Sequence, residues 1–423
     1  MRLIVRGLRV ISAHTTGVGV RSSRAWLLVL LPTLFAGLGA GGSSAPAVGR
    51  GDGVSVRVLL FHDPGPVVIE GDPIGQVELV AAPGGVRATG GAPVASWTSG
   101  GAGALEVRGR RVRGELRVIR TAEGLAVVNQ LPLEAYLVGT LAGEMYAGWG
   151  EEVLRAQAVA SRTYALHQSD RRRRELYDLE AGTASQVYVG VDAEGSSVRA
   201  AVEATRGEVL THRGDLILAA FHSASGGRTA SAEEVWGEPR SYLVSLPVED
   251  ESESPDTYWR VRVSGTTLGR ALASLGHPVG EVSGAEVIRR SESGRVSEIR
   301  LAGERGSALI SGRELRRALG ESTVRSAMFE PRNGDGGDLV LVGSGSGHGV
   351  GMSQWGARAM ARKGASYREI LAAFYPGTQL VQLESVASGR ERARAAAGSG
   401  EPVEVPISAR VPAMTPAARG VEP

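Results

Sequence analysis

Cysteine is absent from the 423-residue chain, which excludes disulfides, a lipid-modified N-terminal cysteine and any thiolate metal site. The fold must therefore be held by its core alone. Acidic residues are missing from the first forty positions, which carry Arg2, Arg6, Arg9, Arg21 and Arg24 before the apolar run "AWLLVLLPTLFAGLGA". Broken by Pro32, that run falls short of the ~20 residues a spanning helix needs, so residues 1–40 read as an export signal rather than a retained membrane anchor. The expected location is the periplasm or cell envelope, with membrane contact only through an uncleaved N-terminal segment. The formal charge of +2 and pI of 9.0 largely describe this segment; the remainder is slightly acidic and argues against a nucleic-acid partner. Also missing are a His-Glu-x-x-His spacing and a Gly-Lys-Ser/Thr ending to any glycine-rich loop, so neither metal nor cofactor is expected.

A Gly/Ser/Ala/Pro linker (41–53) leads into residues 54–132, where Val alternates with Arg or Glu between Gly and Pro punctuation, the signature of half-buried antiparallel strands. From about Leu133 to His167 the period becomes helical: Leu154, Gln157, Ser161 and Tyr164 share a face, and Glu151 and Glu152 sit in a first turn, where the helix dipole favours them. The run Arg171–Arg174 reads as a solvated turn or helix end, with contact to an anionic polymer as the alternative. The mixed core extends over 133–383, with a less distinctive subdomain or insertion at about 247–329 that opens on the acidic "EDESESPD". It closes on a helix begun by the capping-box pattern Ser366–Glu369. A tail at 384–423 is expected to be disordered. No repeat is present, and the fold class is α+β: a β-rich N-terminal part and a mixed helix/strand core.

Three stretches can carry chemistry. In "LAGEMYAGWG", Glu144 lies among Met145, Tyr146 and Trp149, where desolvation would raise its pKa and keep a proton on it; a surface or capping glutamate is the plain alternative. In "FHSASGGRT", a histidine, two serines and two glycines crowd one turn. It lacks the Gly-x-Ser-x-Gly elbow of a serine hydrolase, but the Gly226 and Gly227 amides with the Ser223 and Ser225 hydroxyls suit a polar ligand such as a sugar. In "GSGSGHGVGMSQWG", alternating glycines allow close backbone approach before a helix starting at Met352, presenting His348, Ser353, Gln354 and the Trp355 face. Structural roles for the glycine turn and for a lone histidine remain open.

Taken in order, "VNQLPLEAYLVGTLAGEM", "EEVLRAQAVASRTYAL", "SQVYVG", "FHSASGGRT…EEVWG" and "GHGVGMSQWGARAMARKGASYREILAAFYPGT" resemble the family of stage II sporulation protein D and the amidase enhancer LytB, over roughly Val54 to Val381. The resemblance implies a peptidoglycan lytic transglycosylase that cuts between N-acetylmuramic acid and N-acetylglucosamine in peptide-stripped strands, with Glu144 as catalytic acid. Gln157 and Arg162 on the following helix would orient that loop or the substrate, with a structural ion pair as the alternative for Arg162. Ser353, Gln354, His348 and the Ser223–Gly227 turn would line the facing wall. A non-catalytic glycan-binding enhancer with an amidase partner is the rival reading. Three departures stand out. The zinc that some members hold through His and Cys lacks its cysteine here, Tyr146 replaces the proline of "EMP", and Phe221 stands where tyrosine is common.

Overall fold

The computed structural model describes residues 53–386 apart from 102, 193 and 335–337. The stretch expected to be an export signal, the linker except its last residue, and the tail beyond Val386 lie outside the described residues.

The alternating stretches of the N-terminal part form two five-stranded sheets. One orders Leu179–Glu180, Ser55–Asp63, Gly124–Pro132, Glu115–Thr121 and Ser96–Thr98; the other orders Gly85–Ala88, Gly75–Ala82, Val67–Gly71, Leu105–Val107 and Arg110–Val112. Their inward Val, Leu and Ile side chains join one continuous core with the helices that follow, as period-two patterning requires. The chain is an α+β protein.

The helical stretch is two helices, not one. Helix α1 (Leu133–Glu144) ends where Met145 turns extended; a single 3₁₀ turn, Ala147–Trp149, leads to Gly150 at φ 107°, and α2 (Glu151–Arg171) begins. Helix α1 is buried almost all round, and Gly139 and Gly143 share a face of it. An extended segment, Gln186–Gly190, lies against that face: a Cβ on Gly143 would land on the Val187 carbonyl oxygen, and one on Gly139 would meet the Tyr188 ring. Two bare helix positions four apart therefore set how closely this segment approaches the end of α1.

Helix α3 (Ser196–Ala204) and the strands Glu208–His212 and Gln379–Gln382 complete the layer behind α2. After the short α4 (Ala232–Trp236), residues between Trp259 and Leu341 build a second hydrophobic cluster from two three-stranded sheets with α5 (Gly265–Ser274) and α6 (Gly312–Leu319). The chain then returns to the first core as α7 (Gln354–Arg362) and α8 (Tyr367–Phe374), the latter opened by the Ser366–Glu369 capping box. A two-residue parallel pairing, Phe221–His222 beside Met352–Ser353, sets the two glycine-rich stretches side by side.

Candidate functional site

Glu144 is the last residue of α1. Its Oε1 accepts the Val187 N–H at 2.6 Å, a bond made possible by the glycine face that admits the 186–190 segment. Burial raises its pKa above the ordinary carboxylate value, with the Val187 N–H and the Gln354 amide pulling the other way. The carboxyl also stands at the negative end of a helix whose last turn holds no basic residue, a further disincentive to ionise.

Behind Glu144 runs a polar chain in an otherwise apolar interior. The Gln354 amide donates to the Glu144 main-chain oxygen at 3.3 Å and to Gln157 Oε1 at 3.5 Å; Gln157 in turn donates to Ser161 at 3.1 Å. Gln186, beside Val187, accepts the Tyr136 hydroxyl at 2.8 Å and donates to the Ser161 carbonyl at 3.5 Å. Gln157, Ser161 and Gln186 are wholly buried, so the chain fixes the α1 terminus, the 186–190 segment and α7 against α2. Arg162 takes no part in it. Fully buried, it holds Glu134 through two hydrogen bonds (2.8 and 2.7 Å) and the carbonyls of Glu208 and Val202 (both 3.2 Å). The expectation that it orients substrate is corrected: its donors are taken up in a structural ion pair.

The Ser225–Gly227 turn is occupied from within the protein. Gly226 at φ 75° and Gly227 at φ 100° aim successive amides at one point. The carboxylate of Glu251 fills it, accepting from the N–H groups of Ser225 (2.6 Å), Gly226 (2.7 Å) and Gly227 (3.1 Å) and from the Ser353 hydroxyl. The reading of these amides as a sugar cradle is therefore corrected, because a buried carboxylate already satisfies them. Ser353 is wholly buried and also caps α7, accepting the Gly356 N–H at 3.1 Å. Glu251 thus welds the two glycine-rich stretches and sets Ser353, immediately before Gln354.

Ser225 lies 2.8 Å from His222 Nε2, and His222 Nδ1 lies 3.2 Å from the Val350 carbonyl. A carbonyl can only accept, so Nδ1 carries the proton and the Ser225 hydroxyl donates to Nε2. This is the bonding of a nucleophile pair, but Ser225 has no exposed surface and its amide belongs to Glu251. The pair is structural. His348 accepts the Val350 N–H at Nδ1 (3.0 Å), between His222 and Trp236 with ring centres at 5.7 and 5.4 Å. Burial, with Arg316 and Arg295 nearby, lowers its pKa to about 4, and burial holds His222 well below its ordinary value. Both are neutral at pH 7. The half-buried Ser223 gives its carbonyl to the Trp355 N–H at 3.1 Å.

Around the mouth of this site stand aromatic groups. Tyr146 is 76% exposed, and Trp149 packs on Trp355 with ring centres 4.5 Å apart. Gathered together are Glu144, Gln157, Ser353, Gln354 and the Ser223–Gly227 turn; Arg162 is directed elsewhere. Val187 and Glu251 were not legible as participants, because one acts through its backbone and the other lies in an acidic run that reads as solvated loop.

The arrangement sets one half-buried carboxyl, its pKa raised by burial, beside aromatic surface. Comparison with known proteins places the chain among relatives. The model of the family described as stage II sporulation protein matches residues 121–212, which include Glu144, Gln157 and Val187, and a domain of unknown function matches residues 231–351. An uncharacterized protein of Brachyspira hyodysenteriae is 35% identical over 274 residues, covering 64% of this chain and 73% of its own length. Stage II sporulation protein D of Bacillus subtilis is 30% identical over 291 residues, with 63% and 79% covered. The Bacillus subtilis amidase enhancer is 29% identical over 292 residues, 58% of this chain but 40% of that longer protein.

Proposed function

The chain belongs to the family of stage II sporulation protein D and the amidase enhancer, and from that membership we propose that it is a cell-wall lytic transglycosylase with Glu144 as its acid and base. The substrate is the peptidoglycan glycan strand, stripped of its peptide stems, and the bond cut joins N-acetylmuramic acid to N-acetylglucosamine. The protein works outside the cytoplasmic membrane, exported by its N-terminal segment.

The observation that carries this reading is the half-buried Glu144 carboxyl, whose pKa burial raises and whose Oε1 accepts the Val187 N–H. In the proposed reaction Glu144 protonates the glycosidic oxygen as the bond to C1 breaks. The carboxylate so formed takes the proton of the muramic acid C6 hydroxyl, whose oxygen closes on C1 to give the 1,6-anhydro ring. Glu144 ends protonated, as it began. Because the attacking oxygen belongs to the substrate, no second carboxylate is needed to activate water, unlike in common hydrolytic glycosidases. The polar chain from Gln354 to Ser161 supports the reading by holding the α1 terminus in place without a charged partner for the carboxyl.

The test is incubation of the purified protein with stripped and intact peptidoglycan, followed by mass analysis for anhydro-muramic ends. Glu144→Gln should lower their release by roughly 10²–10⁴-fold, the usual worth of general acid–base catalysis, with folding intact. Activity should fall on the alkaline side as Glu144 loses its proton. Absence of anhydro ends from either substrate, with stimulation of an N-acetylmuramoyl-L-alanine amidase instead, would replace this reading by the enhancer role that one relative's name carries.

A further inference from the structure

A cavity of about 260 Å³ opens between the acidic loop and α7, with Asp250 and Glu253 on one side and Trp355, Arg358, Arg362 and Lys363 on the other. This is just below the roughly 300 Å³ at which small-ligand pockets usually begin. It adjoins the candidate site through the chain itself, since Trp355 follows Gln354, and Trp149 belongs to the turn that leaves Glu144. The Arg358 guanidinium lies 5.0 Å from the Trp355 ring centre and 5.4 Å from that of Trp149. Such stacking holds its planar fork in a fixed orientation.

Arg358 pairs with Glu253, which also engages Arg362, while Asp250 stands 3.8 Å from Lys363. The third carboxylate of the loop, Glu251, is committed to the Ser225–Gly227 amides. Glu253 is different: its side chain is 46% exposed, against 21% for Arg358. A well-oriented guanidinium beside an aromatic wall is therefore occupied by an exposed carboxylate, and exposed ion pairs contribute little to stability. Arg358 meets one Glu253 oxygen, through Nη1, and an incoming carboxylate can take that place with the bidentate geometry a guanidinium fork offers.

Resting on the glycan reading above, the geometry points to this cavity as a subsite for a carboxylate-bearing pyranose, in which Arg358 exchanges Glu253 for the sugar's carboxylate. Trp355 supplies the apolar wall for the ring, backed by Trp149, and Arg362 and Lys363 offset the charge of the loop. A muramic acid freed of its peptide presents a lactyl carboxylate; one still carrying a stem presents an amide in that position. Arg358 would then distinguish the two.

The test is calorimetric binding, in a Glu144→Gln background to block turnover, of a stripped muramic acid–glucosamine tetrasaccharide and of the same glycan with its carboxylates converted to methylamides. The free acid should bind about tenfold tighter, the lower end of what a charge-assisted hydrogen bond contributes. Arg358→Gln should erase that ratio while leaving the methylamide affinity unchanged. Glu253→Gln, which removes the competitor, should widen it. Equal weakening of both ligands by Arg358→Gln, weakening of the acid by Glu253→Gln, or binding of neither glycan overturns the subsite; the first two would leave only an ion pair that fastens the loop. Because binding is read here and product ends are read in the cleavage assay, selective binding without cleavage rejects the transglycosylase reading alone, and cleavage with an unchanged ratio rejects the subsite alone.

Discussion

Replacing Glu251 by alanine removes the acceptor shared by three amides and a hydroxyl. Ser225 and Ser353 are fully enclosed, whereas Gly227 is open to water, so the donors do not contribute equally. A buried donor left without a partner costs about 1–3 kcal/mol. Two enclosed donors and the half-buried Gly226 amide place the loss at roughly 3–5 kcal/mol. Glu251→Gln keeps one acceptor oxygen but turns an NH₂ toward backbone N–H groups, which can only donate, and about 1–2 kcal/mol is expected. Guanidinium titration followed by tryptophan fluorescence measures both, provided the slope with denaturant stays that of the wild type. A Glu251→Ala midpoint equivalent to less than about 0.5 kcal/mol, within the range of an ordinary surface substitution, would refute the argument that this carboxylate organises the site. A glutamine variant as stable as wild type would show that shape, not charge, is what the turn recognises.

Two further outcomes follow from the geometry. Gly143→Ala would drive a Cβ into the Val187 carbonyl, and the shift should cost about 1–3 kcal/mol and lower the proposed cleavage by withdrawing the N–H from Glu144; unchanged release of anhydro ends in this variant would show that the bond to Val187 is dispensable. His348 is held neutral with a pKa of about 4, below its ordinary unfolded value of about 6.5. Its contribution is therefore present above pH 6.5 and lost as pH falls toward 4, as the unfolded chain binds the extra proton. Denaturation midpoints across that window should fall less steeply in His348→Asn, and equal slopes would contradict the assignment.

Much of the scaffold was legible because periodicity reports burial directly. The alternation over 54–132, the first-turn glutamates of α2 and the Ser366–Glu369 box all appear where the pattern places them. The break between α1 and α2 was harder to read, since Met145–Gly150 contains no proline and the apolar pattern runs through it; the interruption is set by Gly150 and by packing. The desolvation of Glu144 was legible from its apolar neighbours. The partners that set its environment were not. Val187 contributes only its backbone, and the 186–190 segment reaches it because Gly139 and Gly143 leave room, a fact of three-dimensional approach. Glu251 sits among Asp250 and Glu253 in a run whose composition indicates solvent, and only the turn that captures it distinguishes it from them. Arg162 could be placed on the right helix from its spacing, but not on the right side of it.

The parallel pairing of Phe221–His222 with Met352–Ser353 joins segments about 130 residues apart, with the whole second cluster threaded between them. A chain that emerges N-terminus first therefore carries Glu144 long before it carries Gln354. The acid stays without its facing wall until α7 has been delivered and the detour through the second cluster has closed. Fragments that stop short of α7 therefore hold Glu144 without the Gln354 amide that fixes the end of its helix and without the Ser353 hydroxyl that completes the seat of Glu251.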